Sequence, residues 1–328
     1  MFSKRSRLCK ITQNRLSLSR RNLLLQAAAY VSALIFMKSP VKAAPGQDKK
    51  LQPRPGRKHI TDCDLAAVRG NSIAAATQRA VEELGGIKRF VNRGDIVVIK
   101  PNIAWNRTPE YAATTNPEIV STLISLCRHA GARTVRVFDN TCNNPGMSYH
   151  NSGIFQAARK AGAMVYHTAD WKFLPASFPA GSRMQDWPVF KDAAECDCFI
   201  NVPIAKHHSL TGLTLSMKNL MGVCGGNRGM IHWNIDEKLA ELTEFISPDL
   251  TVIDAWRILI RGGPSSGNID NVRHKNTVIA SADPVLADSY AATLFNRKPG
   301  EIAHIRKGAE KGLGSMDLGR AKIRTVSI

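Results

Sequence analysis

The chain has 328 residues, 44% of them hydrophobic and 22% charged, so it is long enough to bury a core in one large domain or two modest ones, and intrinsic disorder is excluded as its general state. Its 45 basic residues outnumber 26 acidic ones, but nine of the cations lie in residues 1–46, where no acidic residue occurs, leaving 36 against 26, or +10, for the rest. That surplus suits an anionic ligand; with no basic-aromatic patch or recognition-helix motif, it argues against nucleic acid.

Residues 19–37, SRRNLLLQAAAYVSALIFM, set a twin arginine before an apolar run, and SPVKAAP follows, in which Val41-Lys42-Ala43 suits signal peptidase. The run is short for a transmembrane span. Ser19-Arg20-Arg21-Asn22-Leu23-Leu24 resembles a twin-arginine translocation signal, with Leu25 where lysine is usual. The expectation is a signal over residues 1–43, cleaved near Ala43, carried by the translocation machinery to the periplasm in the folded state and leaving no stable membrane span. A general secretory signal, or an uncleaved one anchoring the protein in the membrane, is the alternative. Residues 44–58 read as a basic, solvated linker, and 59–328 as a single domain.

Within that domain the β-branched run DIVVIK (95–100) predicts a strand, and NPEIVSTLISLCRHAGA (116–132) a helix with Asn116 as cap, Pro117 in its first turn and Gly131 at its end. TVRVFD (134–139), SGIFQAARKAGA (152–163) and MVYH (164–167) continue as strand, helix and strand. DCFINVPI (197–204), IDEKLAELTEFI (235–246), LTVIDAW (250–256), NTVIAS (276–281), DPVLADSYAATLF (283–295) and AKIRTVSI (321–328) resume the alternation after a central insertion at about 205–235. The predicted fold is α/β, a mostly parallel sheet with helices on both faces.

Ligands bind beyond the carboxyl ends of strands in open parallel sheets. Lys100 and Asn102 follow the first predicted strand, Asp139 and Asn140 the second, and Lys206, His207 and His208 the fourth, with Asp254 after the fifth. One lysine, amide or carboxylate at such a place is ordinary capping chemistry; the set at several strand ends points to a site.

The segments KPN (100–102), DNTCN (139–143), INVPIAKHHSLTGLTLSMKNLMG (200–222), DLTVIDA (249–255), GPSSG (263–267) and ASADPVLADSYAATLF (280–295) resemble the domain of unknown function 362 family, in order, over roughly residues 90–315. The resemblance implies one α/β domain and little about chemistry. Some relatives carry appended ferredoxin-type cysteine motifs, but no C-x2-C-x2-C run occurs here, so an iron-sulfur role does not carry over.

AKHHSLTGLTLSMKNLMG (205–222) crowds lysines and histidines among apolar residues. Read as helical from about Thr211, it places Thr214, Lys218 and Met221 on one face, with His207 and His208 in the loop feeding it. His207, Lys218, Asp139 and His232 are the candidate catalytic groups, and Lys100, Asn102, Asn140, Lys206 and Asn219 the candidate ligand-binding groups, for an anionic small molecule with histidine moving protons. VCGGNRGMIHWN (223–234) is glycine-rich, as in a lid, but fits no nucleotide-binding spacing. The alternative is a metal or iron-sulfur redox protein, with Cys142, His208 and Cys224 as ligands to iron or zinc; a periplasmic assembly partner is a third reading. Asp283 reads as a helix cap, and Asp288 as a carboxylate within an apolar helix. The six cysteines after Cys9 are too thinly spread for a disulfide-stapled scaffold.

Overall fold

β-branched residues set two by two build the sheet. In β2 (Ile96–Pro101) of the computed structural model, Val97 and Ile99 enter one apolar layer while Val98 enters the opposite one, as the two-residue period of a strand requires. The structure describes residues 50–328; the expected signal peptide and the first residues of the expected linker lie outside them.

The other strands are β1 (Leu65–Arg69), β3 (Thr134–Val137), β4 (Met164–Val165), β5 (Phe173–Pro175), β6 (Pro188–Phe190), β7 (Cys198–Val202), β8 (Ile204–His208), β9 (Gly212–Thr214), β10 (Leu250–Leu259), β11 (Val272–Ser281) and β12 (Ile323–Ser327). The main sheet runs β12-β1-β11-β10-β7-β2-β3-β4, with β8 on β10 and β9 on β8; β5 and β6 form a separate hairpin. Neighbours from β10 through β7, β2 and β3 to β4 are parallel, as are β1 and β12, while β11 is antiparallel to both its partners. The fold is therefore α/β with a mostly parallel sheet. Helices Ile73–Glu83, Pro117–His129 and Ile154–Lys160 pack on one face; Ile235–Ile246, Pro284–Thr293 and Ala303–Glu310 pack on the other.

Local chemistry sets several of these bounds. The Asn116 side chain accepts from Glu118 N ahead of Pro117, and Asp283 accepts from Leu286 N ahead of Pro284. Ile235–Ile246 has the predicted bounds.

The stretch 205–222 does not. Instead of a helix from Thr211 it forms a β8–β9 hairpin, with Gly212 at φ +75°, and only then a single turn, Ser216–Asn219. β8 also pairs with the far end of β10, so much of the expected insertion extends the main sheet. β1, the Ile73–Glu83 helix and the β5–β6 hairpin carry no sequence-based expectation above.

After β2 the chain moves outward to β3 and β4, then returns across β2 to β7 on its other flank. That reversal opens a crevice at the carboxyl end of β2, where Lys100 stands opposite Asn201 in register.

Residues 50–58, expected as solvated linker, are partly built into the domain. Leu51 bridges to Ala176, and the buried Arg54 guanidinium meets Asp249 at 2.6 Å while donating to the carbonyls of Ile246 and Ser247. Asp249 also contacts His59 at 3.0 Å and accepts from Phe199 N. Removing one partner of such a buried pair strands the other charge. Arg54→Ala should therefore cost about 3–5 kcal/mol in denaturant unfolding, whereas an unchanged midpoint would mean the segment is not docked in solution.

Candidate functional site

A cavity of about 530 Å³ opens at the carboxyl ends of β2, β3 and β8. Ten residues expected from the sequence line it: Lys100 and Asn102 after β2, Asp139, Asn140 and Cys142 after β3, Lys206 and His208 on β8, Lys218 and Asn219 on the Ser216–Asn219 turn, and His232 beyond it. Arg228 and Thr214 complete the polar wall, and Trp105, Leu210, Met221 and Pro264 supply apolar surface. A larger cleft, about 710 Å³, is lined by groups already engaged: Asp283 caps its helix and accepts from Ser315 N, Asp64 accepts from Lys322 N, and Arg57 pairs with Asp95. Its size therefore does not make it the site.

The floor of the smaller cavity is a buried ion pair, Lys100 Nζ to Asp139 Oδ1 at 2.7 Å. Asp139 Oδ2 accepts from Ile103 N, while Oδ1 has only the charge contact and no hydrogen bond. Lys100 Nζ donates to Pro101 O at 2.9 Å and to Asn219 Oδ1 at 3.2 Å. Asn219 also accepts from Asn102 and donates to Asn201, which in turn donates to Ser216, so the amides form a continuous network. Burial lowers the Lys100 pKa against the opposing pull of Asp139.

Two further lysines lack such a counter-ion. Lys206 Nζ donates to Ala113 O at 2.6 Å and Asn102 Oδ1 at 3.2 Å; burial, aided by the charges of Lys218 and Lys100, lowers its pKa to about 7. Lys218 Nζ meets only the Met221 thioether, at 2.9 Å, and burial with nearby Arg228 brings it to about 8. Arg228 is held by two carbonyls, Asn140 O and Thr141 O, at 2.6 and 2.7 Å. Thr214 Oγ1 is buried on the cavity wall without a partner.

The two cavity histidines are neutral and oppositely protonated. His208 Nδ1 faces two backbone donors, Leu210 N at 3.1 Å and Thr211 N at 3.3 Å, so it carries no proton and Nε2 does. His232 Nδ1 faces Gly229 O at 3.1 Å, so it must donate, leaving the Nε2 lone pair free. The rings stack at 6.1 Å. Burial, reinforced by Lys218, depresses both pKa values, that of His208 to about 3.

Two expected residues fall elsewhere. His207 alternates with Lys206 and His208 along β8, so it faces a separate basic cleft with Arg261 and Arg273, where its Nδ1 accepts from Gly263 N. Placing it among the catalytic groups presumed a loop where the chain forms a strand. Cys224 is buried outside the cavity lining, and burial pushes its thiol up to about 12. Cys142, His208 and Cys224 are not gathered as a ligand set: among the described residues, no three His, Cys, Asp or Glu side chains are placed to hold a metal ion. The six described cysteines are all free. Asp288 is fully buried and accepts from Ser216 N and Met217 N, anchoring the turn that carries Lys218; Asp254 similarly binds Asn116 N and Trp256 N. Arg228 was detectable only as the lone cation in the glycine-rich loop.

Residues 97–293 match the family model described as Domain of unknown function (DUF362). The thylakoid-associated protein sll1697 of Synechocystis sp. is 24% identical over 251 residues, 74% of this chain and 76% of that protein. Among solved structures, the lactate racemase apoprotein of Thermoanaerobacterium thermosaccharolyticum aligns with a TM-score of 0.43 and 11% identity over 75% of this chain, and a Thermotoga maritima protein with 0.37 and 13% over 69%. The chain spans 62% and 58% of those two structures. Among the described residues no helix is long and apolar enough to cross a membrane.

Gly222 covers the ion pair: a Cβ there would strike Asp139 Oδ1 and lie 2.5 Å from Lys100 Nζ. Gly222→Ala should therefore destabilise the protein by about 1–3 kcal/mol, while Gly300→Ala, where a Cβ meets nothing within 4 Å, should be near neutral. Equal effects on the melting temperature would contradict this packing.

Proposed function

The chain belongs to the Domain of unknown function (DUF362) family, and we propose that its cavity binds an anionic small molecule, a carboxylate or phosphate, and moves a proton on it. One observation carries the reading: Lys206, Lys218 and Arg228 converge on a space whose lining contains a single carboxylate, Asp139, already in contact with Lys100. Burying cations without counter-charge is unfavourable, and an anion supplies what is missing.

Lys206, Lys218 and Arg228 hold the negative group, and Thr214 Oγ1 offers a further hydrogen bond. His232 Nε2 can accept a proton, and the neutral His208 donates an Nε2–H hydrogen bond to the negative charge that develops, so the stacked pair serves as base and electrophile with neither ring charged at the start. The apolar wall takes the ligand's carbon skeleton.

The cellular setting belongs to the same proposal. The twin-arginine pattern at Ser19–Leu24 and the following apolar run support export by the folded-protein route to the periplasm, with the translocation machinery as the partner met on the way.

Thermal shifts with inorganic phosphate, sulfate and propionate test the site. Stabilisation is expected at pH 6.5, with affinity falling as pH rises through the values of about 7 and 8 at which Lys206 and Lys218 lose their charge. Lys206→Met and Arg228→Met should each weaken binding by about tenfold or more, and Lys88→Met on the exposed surface should not. Equal shifts in all three variants and the parent would reject the reading.

A further inference from the structure

The three cavity lysines are held in three different ways. Lys100 has a carboxylate, Lys206 has two oxygen acceptors, and Lys218 has only a thioether, although it is almost as deeply buried. Sulfur is a weak acceptor and cannot hold an ammonium as oxygen does. The Lys218 amine nevertheless sits on a rigid mount: the turn bearing it is pinned from below by Asp288, which takes the Ser216 and Met217 N–H groups, and from the side by Asn201, which donates to Ser216 O at 2.9 Å. A purely electrostatic clamp needs no such isolation from oxygen acceptors, whereas a nucleophilic amine does, because each hydrogen bond donated to an oxygen would favour the protonated, unreactive form.

We propose that Lys218 is a Schiff-base lysine, and that the ligand is a small 2-oxo carboxylate whose carbonyl carbon it attacks. This rests on the anion-binding reading above and names the substrate class for that site. Lys206 and Arg228 hold the carboxylate, which places the adjacent carbonyl beside the Lys218 amine. The nitrogen lone pair forms a bond to the carbonyl carbon as the C=O π pair moves to oxygen. His232 Nε2 carries one proton from the attached nitrogen to the oxyanion, giving the carbinolamine, and then a second from the nitrogen to the hydroxyl, which leaves as water with both amine hydrogens as the C=N bond forms. Atoms and charge balance without an added oxidant or reductant. Burial of Lys218, with the positive charge of Arg228 beside it, favours the neutral amine before attack.

The test is trapping with sodium cyanoborohydride, which reduces an imine in place. The full protein is incubated with pyruvate or, in parallel, with propionate, then digested for peptide mass mapping. Pyruvate should give a reduced adduct concentrated at Lys218, propionate should give none, and propionate added with pyruvate should slow labelling. Lys218→Arg keeps the charge without an amine able to form an imine; it should still be stabilised by propionate but lose the adduct. Lys218→Met, which matches the stem in an apolar surrounding, should fold and also lose it. Stabilisation by pyruvate and propionate with no adduct at Lys218, or labelling spread over surface lysines equally in the parent and Lys218→Arg, would overturn the proposal while leaving the anion site standing. If neither compound binds, this proposal falls, and the anion site stands or falls on its response to phosphate and sulfate.

Discussion

The ion pair between Lys100 and Asp139 is the constraint around which this end of the molecule is arranged. It joins the carboxyl ends of β2 and β3 at the point where the chain reverses direction across the sheet, and it is fully enclosed. Neither charge tolerates the interior alone. Its neighbours are polar because they must satisfy what the pair leaves over: Ile103 N for Asp139, Asn219 for Lys100, and the other amides for Asn219. Gly222 lies above it because no side chain fits there. A site built on this floor inherits its rigidity, and the lysines above it stand on elements that cannot drift.

Against that charge-paired floor, the walls are incomplete. Lys206, Lys218 and Arg228 bring positive charge and no carboxylate answers it; Thr214 Oγ1 is buried with no partner; two neutral histidines present one donor and one acceptor. Incomplete polar satisfaction is costly, and where it coincides with cations that no carboxylate answers it signals a missing guest more strongly than any one residue does.

Much of this was legible in the residues because parallel strands advertise their carboxyl ends. Lys100, Asn102, Asp139, Asn140 and Lys206 each follow or terminate a β-branched run, and all line the cavity. The sequence failed where period mattered: Leu, Thr and Met between 211 and 221 fit a helical face, but pairing of β8 with β10 and a Gly212 turn win over that local pattern. With a strand in place of a loop, Lys206 and His208 share one face and His207 the other, which no count of clustered histidines reveals. Cys224 misled for the same kind of reason, since a thiol sealed in an apolar layer behaves as a small hydrophobe. Arg54 was hidden because a Pro-containing basic stretch has the composition of a linker, and only its distant partner, Asp249, makes it structural.

Whether the cavity's surplus positive charge is there for an anion is decided most directly by calorimetric titration with sulfate at pH 8, in Tris and in HEPES. Burial holds Lys206 at about 7 and Lys218 at about 8, so both are partly deprotonated there, and an anion beside them raises their affinity for protons. Sulfate does not titrate at that pH, so binding should draw protons from the buffer, and the observed enthalpy should shift with buffer ionisation enthalpy in the direction of net uptake. Binding without proton uptake, or no binding either at pH 8 or in a repeat at pH 6.5, would contradict a cavity built around uncompensated lysines.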